Sequence, residues 1–201
     1  SVGSSADLMS AMRQQQTLNM LNTKYIIYDP NAAPLENPFA FGNAWIASDV
    51  KWVDDPNEEF EALGANDLRH TAILHQEFKS QVGDYATSDS LIGQITLTNY
   101  EPNQLTYSFQ ADEDQLVVFS EIWSDMGWKL YLDGQEHPML RANYLLRCAL
   151  VPGGNHQIVM EYAPRIWKTG NTIQLISSLI LVLGLIGAIV FTLKPKKEAK
   201  A

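Results

Sequence analysis

The side chains best suited to chemistry gather in one stretch, SEIWSDMGWKLYLDG (120–134). There Glu121, Asp125 and Asp133 accompany Trp123, Trp128 and Tyr131. Aromatic rings beside carboxylates suit a sugar, because an indole stacks on the apolar face of the ring while a carboxylate accepts hydrogen bonds from the hydroxyls. Trp123, Trp128 and Asp125 are therefore the candidate carbohydrate-binding residues. The competing expectation is that both indoles plug the core of a sheet, as aromatics on strands commonly do.

Signatures of covalent, metal and nucleotide chemistry are missing from the sequence. There is no GxSxG elbow, no HExxH, no P-loop and no GxGxxG. No catalytic residue, cofactor or metal site is expected. His70 and His75 stand five apart, which does not place them on one helical face. Asp112, Glu113 and Asp114 read as a solvated turn, and their spacing does not match an EF-hand loop. His137 and His156 sit beside expected turns and read as surface residues. Arg141 and Arg147 lie on expected strands, paired with some of the acids of 121–133. Cys148 is the only cysteine, so no intrachain disulfide forms; within LLRCALV it reads as a small buried residue.

The elements that must position these groups follow from periodicity and punctuation. Residues 5–21 predict a helix, with Leu8, Met9, Met12, Leu18 and Leu21 near helical spacing. KYIIY (24–28) predicts a short strand ended by Asp29-Pro30, and Ala44–Ser48 a second one. Residues 56–64 predict a helix with Asp55 as cap, Pro56 in the first turn and Gly64 as its stop. An amphipathic helical piece is expected around 67–77, then a polar loop over 80–91.

From residue 92 the period becomes two. IGQITLTNY and QLTYSFQ flank Glu101-Pro102-Asn103, and Leu105, Tyr107 and Phe109 share one face. LVVFSEIW, WKLYLDG, HPMLRANY, LLRCALV and HQIVMEY follow, with Asp133-Gly134 and Gly153-Gly154 as hairpin signals. The expected fold is α+β: an antiparallel β-sandwich of about seven strands, preceded by a helix-containing segment and followed by one C-terminal transmembrane helix. The expected divisions are a mixed helix and strand portion over 1–91, a sandwich over 92–164, a juxtamembrane segment and membrane helix over 165–193, and a lysine-rich tail over 194–201.

The membrane helix is read from IQLISSLILVLGLIGAIVFTL (173–193), which carries no charge. At 1.5 Å per residue it spans about 31 Å, the thickness of a hydrocarbon core. Lys194, Lys196, Lys197 and Lys200 follow, so the positive-inside rule puts the tail in the cytoplasm and the preceding domain outside it. Arg165, Trp167 and Lys168 are the candidate membrane-interface residues. The N-terminus shows no basic and apolar leader, so the chain is expected to be the C-terminal piece of a longer membrane protein. The rival expectations are a tail-anchored protein with a cytoplasmic domain, and a buried core helix.

Charge is divided along the chain. Residues 1–164 hold 22 Asp+Glu against 8 Lys+Arg, a net of −14, and the remaining residues hold 1 against 6, a net of +5. This balance argues against nucleic acid as a partner, because phosphate backbones demand clustered cations.

LNMLNTKYII, NPFAFGNAWIASDV and the long run from GQITLTNY to MEYAP, followed by a final span, resemble the C-terminal end of the YfhO-like family of bacterial integral membrane proteins. The pattern SEIW…GW…DG…RANYLLR…VPGGNH resembles members from Bacteroidetes. The resemblance implies an upstream bundle of membrane helices and a likeness to GT-C glycosyltransferases, which take sugar from a polyprenyl-phosphate carrier on the outer face of the membrane. It places the catalytic carboxylate of such enzymes upstream of Ser1, so no catalytic residue transfers to this sequence. The partners it implies are the bilayer, the upstream bundle, and a lipid-linked sugar or envelope glycan. The implied location is the bacterial inner membrane, with the domain on the periplasmic side. Two other functions stay open: a membrane-tethered carbohydrate- or protein-binding module without an enzyme, and a structural role in the envelope.

Overall fold

The computed structural model describes residues 5–27, 29–83, 85 and 93–193. The end of the expected polar loop, 86–91, and the lysine tail, 194–201, lie outside the described residues. The chain forms two compact units, Ser1–Tyr162 and Ala163–Ala201.

The first unit is α+β and built in layers. Its N-terminal helix is interrupted: α1 (Ser5–Gln14) and α2 (Gln16–Met20) meet at Gln15, whose ψ of 66° is not helical. The expected single helix fails here because Gln16 is used at long range. Its side chain accepts from the Leu68 N–H at 2.7 Å and donates to the Asn66 carbonyl at 3.1 Å. Met12 and Met20 are buried on either side of the break. A two-stranded ribbon follows, β1 (Tyr25–Ile26) against β2 (Leu35–Glu36).

Next come β3 (Ala44–Ala47), β4 (Asp49–Val53), α3 (Pro56–Ala65) and β5 (Thr71–His75). Asp55 caps α3 as expected, its Oδ1 accepting from Asn57 and Glu58 N–H at 2.8 and 3.0 Å. The stop is Asn66 rather than Gly64: its side-chain amide and its backbone N–H both donate to the Ala62 carbonyl. The segment expected to be helical around 67–77 is instead strand β5 followed by a 3-10 turn, Gln76–Phe78, and α4 (Lys79–Val82). Ala72, Ile73 and Leu74 are buried in succession. A run of this kind suits an interior strand, and periodicity alone does not separate it from a short helix. β4 and β5 pair in parallel with α3 as their crossover.

The remaining strands are β6 (Gly93–Glu101), β7 (Gln104–Ala111), β8 (Gln115–Ile122), β9 (Trp128–Leu132), β10 (Gln135–His137), β11 (Leu140–Ala142), β12 (Leu146–Val151) and β13 (Gly154–Tyr162). HPMLRANY, expected as one strand, is divided between β10 and β11, which belong to different sheets. One sheet runs β10-β9-β13-β7-β6, and the other runs β3-β8-β12-β11-β5-β4. Strands from both sides of residue 92 therefore share the six-stranded sheet.

Strands β3, β8 and β12 of that sheet are covered on both faces. Ile46, Val117, Phe119, Ala149 and Val151 pack against Leu105, Tyr107, Phe109, Leu130, Ile158 and Met160 of the five-stranded sheet. The opposite set, Trp45, Leu116, Val118, Leu146 and Cys148, joins Met20, Ala62, Leu63, Leu68 and Val82 from the helical side. β7 alternates as expected, with Leu105, Tyr107, Phe109 and Ala111 buried. Two turns close as their sequences indicate. Asp133 and Gly134 both take positive φ, 50° and 83°, as a type I′ turn requires. Gly153 lies against the Asp112 carbonyl, where an added Cβ would come within 2.7 Å.

One link joins β5 to the end of β11. Asn143, fully buried with φ of 50°, donates its N–H to the Ile73 carbonyl at 2.9 Å and accepts the Ile73 N–H on Oδ1 at 2.8 Å. It satisfies both backbone groups of a strand residue at once, and asparagine tolerates the left-handed conformation better than most residues. Replacing Asn143 by Ala leaves the Ile73 N–H buried without its acceptor. The expected cost is about 1–3 kcal/mol, read as a lower urea midpoint at unchanged slope in tryptophan-monitored unfolding.

Candidate functional site

Trp123, Asp125 and Trp128 come together. They line a cleft of about 430 Å³ with Ser124, Lys129, Leu130, Glu136, His137, Pro138 and Met139. Trp128 and Lys129 come from β9, Glu136 and His137 from β10, and Trp123 to Asp125 from the connection between β8 and β9. Both indoles are half-buried, and Asp125 is exposed. The connection is fastened by the Trp123 N–H, which donates to the Leu145 carbonyl at 2.8 Å. Further along, the Met126 N–H donates to Ser124 Oγ at 3.1 Å. Lys129 and Glu136 make an ion pair at 2.6 Å, so one cation and one acid on neighbouring strands face each other at the cleft. His137 donates from Nε2 to the Leu150 carbonyl at 2.8 Å, which fixes its ring.

Trp128 is both core and surface. It packs at the margin of the core between the sheets, and the Arg147 guanidinium lies 4.0 Å from its ring centroid. Tyr162 sits 5.4 Å from the same indole. Trp128 therefore contributes both to the margin of the core and to the wall of the cleft.

Arg147 is the residue that the sequence does not announce. It is buried on β12, on the face between the sheets. The β8–β12 ladder shifts register between Leu146, which faces Ile122, and Arg147, which faces Phe119. At this bulge the Ile122 carbonyl accepts the Arg147 Nε–H at 3.0 Å, while Nη1 reaches Met160 Sδ at 3.5 Å. The expected carboxylate partner is absent: among the described residues no acid lies within 4.0 Å of Arg147, and Arg141 pairs at 3.1 Å with the buried Glu59 rather than with an acid of 121–133. Burial lowers the Arg147 pKa from its usual value, with Glu121 acting in the opposite sense. Burial likewise raises Glu121, which Arg147 partly offsets, and raises Tyr107. A guanidinium stays protonated through such a shift. Its charge is held by a carbonyl, a thioether and an aromatic face, the last worth about 2 kcal/mol when desolvated. The one cue in the sequence is an arginine inside the apolar run LLRCALV.

The other sequence candidates lie elsewhere. Asp133 is in the β9–β10 turn, where Oδ2 meets His156 Nδ1 at 2.6 Å and Oδ1 accepts the Gln157 N–H at 2.8 Å. Asp114 Oδ1 accepts the Gly153 N–H at 3.0 Å. His75 donates from Nε2 to the Asp54 carbonyl at 2.6 Å. Arg165, Trp167 and Lys168 fall in the first turn of α5 (Arg165–Leu193), and their side chains lie outside the described residues. Within α5, Thr169–Val190 has a mean hydropathy of 2.5 and no buried residue. That length and composition suit a bilayer span.

Residues 76–174 match the profile of a family described as bacterial membrane protein YfhO. No curated protein matches the chain. No solved structure matches it.

The His156–Asp133 pair gives the domain a pH signature. The hydrogen bond with Asp133 raises the His156 pKa above 6.5, and the same bond lowers Asp133 below 3.8. A raised histidine contributes fully below about pH 6.5, and its contribution is lost as pH climbs through the elevated value. A lowered aspartate contributes above about pH 4, and its contribution is lost as pH falls through the depressed value. The pair therefore stabilises most between about pH 4 and 6.5. Melting temperatures across pH should show this rise and fall in the native chain, and the difference from His156→Gln should be largest inside that window.

Proposed function

We propose that this chain is a YfhO-like bacterial membrane protein, as the family match over residues 76–174 supports, and that its Ser1–Tyr162 unit is an extracytoplasmic accessory domain that holds a saccharide for glycosyl transfer by the membrane helices of the same protein. The observation that carries this is the convergence of Trp123, Asp125 and Trp128 on one open cleft. Half-exposed indoles offer faces to a pyranose, and Asp125 and Glu136 offer hydroxyl acceptors. Arg147 beneath Trp128 holds that ring in place before any ligand arrives, which lowers the ordering cost of binding.

The side of the membrane is inferred from charge. Four lysines follow the apolar helix closely, and by the positive-inside rule they mark its cytoplasmic end. In this reading the donor is a polyprenyl-phosphate-linked sugar and the acceptor an envelope glycan, as the family resemblance implies. The catalytic carboxylate belongs to the membrane bundle. Ala163 and Pro164 alone separate β13 from α5, so the domain is tethered to the span by a short connection. The same half-exposed indoles also favour a second reading, a tethered recognition module that binds glycan without an enzyme attached.

Calorimetry on the full chain in phosphatidylcholine nanodiscs tests the common core of both. Gluco-, galacto- and manno-configured oligosaccharides are titrated in turn. Trp123→Ala and Trp128→Ala should each weaken binding of the preferred sugar about tenfold, and Asp125→Asn less. Equal heats for native and variant chains, or no heat with any sugar, overturn the saccharide cleft. Transfer of label from a lipid-linked sugar by the native protein separates the accessory role from the tethered module.

A further inference from the structure

The first unit carries a second cleft, of about 470 Å³, where α1 and α2 meet the 37–41 segment and the turn before β5. Three basic side chains line it: Arg13, Arg69 and His70. The domain's acids outnumber its lysines and arginines 22 to 8. Arg141, Lys51 and Lys129 each have a carboxylate within 4.0 Å. Among the described residues neither Arg13 nor Arg69 has one at that distance.

Both guanidiniums are held by aromatic rings instead. Arg13 lies 6.0 Å from the Phe39 centroid and Arg69 5.4 Å from that of Phe41. Arg69 also donates from Nη1 to the Phe41 carbonyl at 2.8 Å, which leaves most of its five donors unused. A guanidinium beside an aromatic face keeps its N–H groups available, and its planar fork suits bidentate recognition of a phosphoryl group. One acid lines the cleft, Asp67, and its Oδ1 accepts the N–H of Arg69 at 3.1 Å. Its charge opposes an anionic ligand and so weakens the site.

We propose that this cleft binds a phosphoryl-bearing ligand through Arg13 and Arg69, with His70 at its side. Neither the saccharide cleft nor the glycosyl-transfer reading is needed for this site. The phosphoryl group comes either from a soluble phosphate monoester or from an anionic lipid headgroup, and two arms of one experiment separate them.

The full chain, carrying ¹⁵N-labelled arginine, is placed in phosphatidylcholine nanodiscs, and glycerol 1-phosphate is titrated while the Arg13 and Arg69 Nε–H resonances are followed. In the second arm no soluble ligand is added and phosphatidylglycerol replaces part of the phosphatidylcholine. Saturable shifts in the first arm identify a soluble ligand, and shifts confined to the second identify a headgroup. Either supports the site. Shifts in neither arm overturn it.

Variants guard against a general charge effect. Both arginines are exposed, so Arg13→Gln and Arg69→Gln should keep the fold, checked by the remaining amide resonances. The double variant should lose at least tenfold in affinity, now read from backbone amides around the cleft. Asp67→Asn keeps the acceptor for the Arg69 N–H and removes the opposing charge, so binding should tighten severalfold. An unchanged affinity in Asp67→Asn together with an unchanged affinity in the double variant refutes the assignment.

Discussion

Strands β3, β8 and β12 of the six-stranded sheet have no wet face, and much of the first unit follows from that constraint. A sheet buried on both sides requires two covering layers. The five-stranded sheet supplies one and the helices before residue 83 supply the other. Because both layers bury apolar residues against the central sheet, the helical segment and the strands after residue 92 belong to one compact unit. The N-terminal bonds serve this arrangement: the Gln16 side chain at the start of α2 fastens the segment before β5, and the Ser120 hydroxyl on β8 lies 2.6 Å from the Gly42 carbonyl and 2.9 Å from that of Met20.

Arg147 connects that core to the surface. A lone cation between two sheets would cost several kcal/mol if left without partners. The bulge in β8 brings a carbonyl to it, and Trp128 covers it with a ring whose other surroundings belong to the cleft. The interaction runs both ways: the indole lowers the cost of burying the charge, and the charge fixes the indole. A cleft built on a strand and supported by a core residue is better ordered than one built on loops alone.

The two clefts differ in chemistry and lie on different parts of the chain. One combines indoles, a carboxylate and an ion pair between neighbouring strands. The other sets two ring-supported guanidiniums in an otherwise acidic domain.

What the sequence determined by itself is what local chemistry dictates. The apolar run after residue 172 has one stable environment, because 21 uncharged residues exceed what a core helix ordinarily buries. The Asp133-Gly134 turn, the Asp55 cap and the alternation of β7 were legible because each depends on neighbours within a few residues. The proximity of Trp123, Asp125 and Trp128 was legible for the same reason, since they lie within six residues of one another. Long-range placement was decided by the tertiary structure. TAILH became a strand because the central sheet had room for a parallel partner of β4, and a run of buried apolar residues looks alike in a strand and in a short helix. HPMLRANY was divided between two sheets, and Arg147 was turned inward, because only packing determines which face of a strand meets another layer. Arg13 and Arg69, 56 positions apart, share a cleft for that reason too: charge spacing along a chain carries no information about which loops the core will draw together.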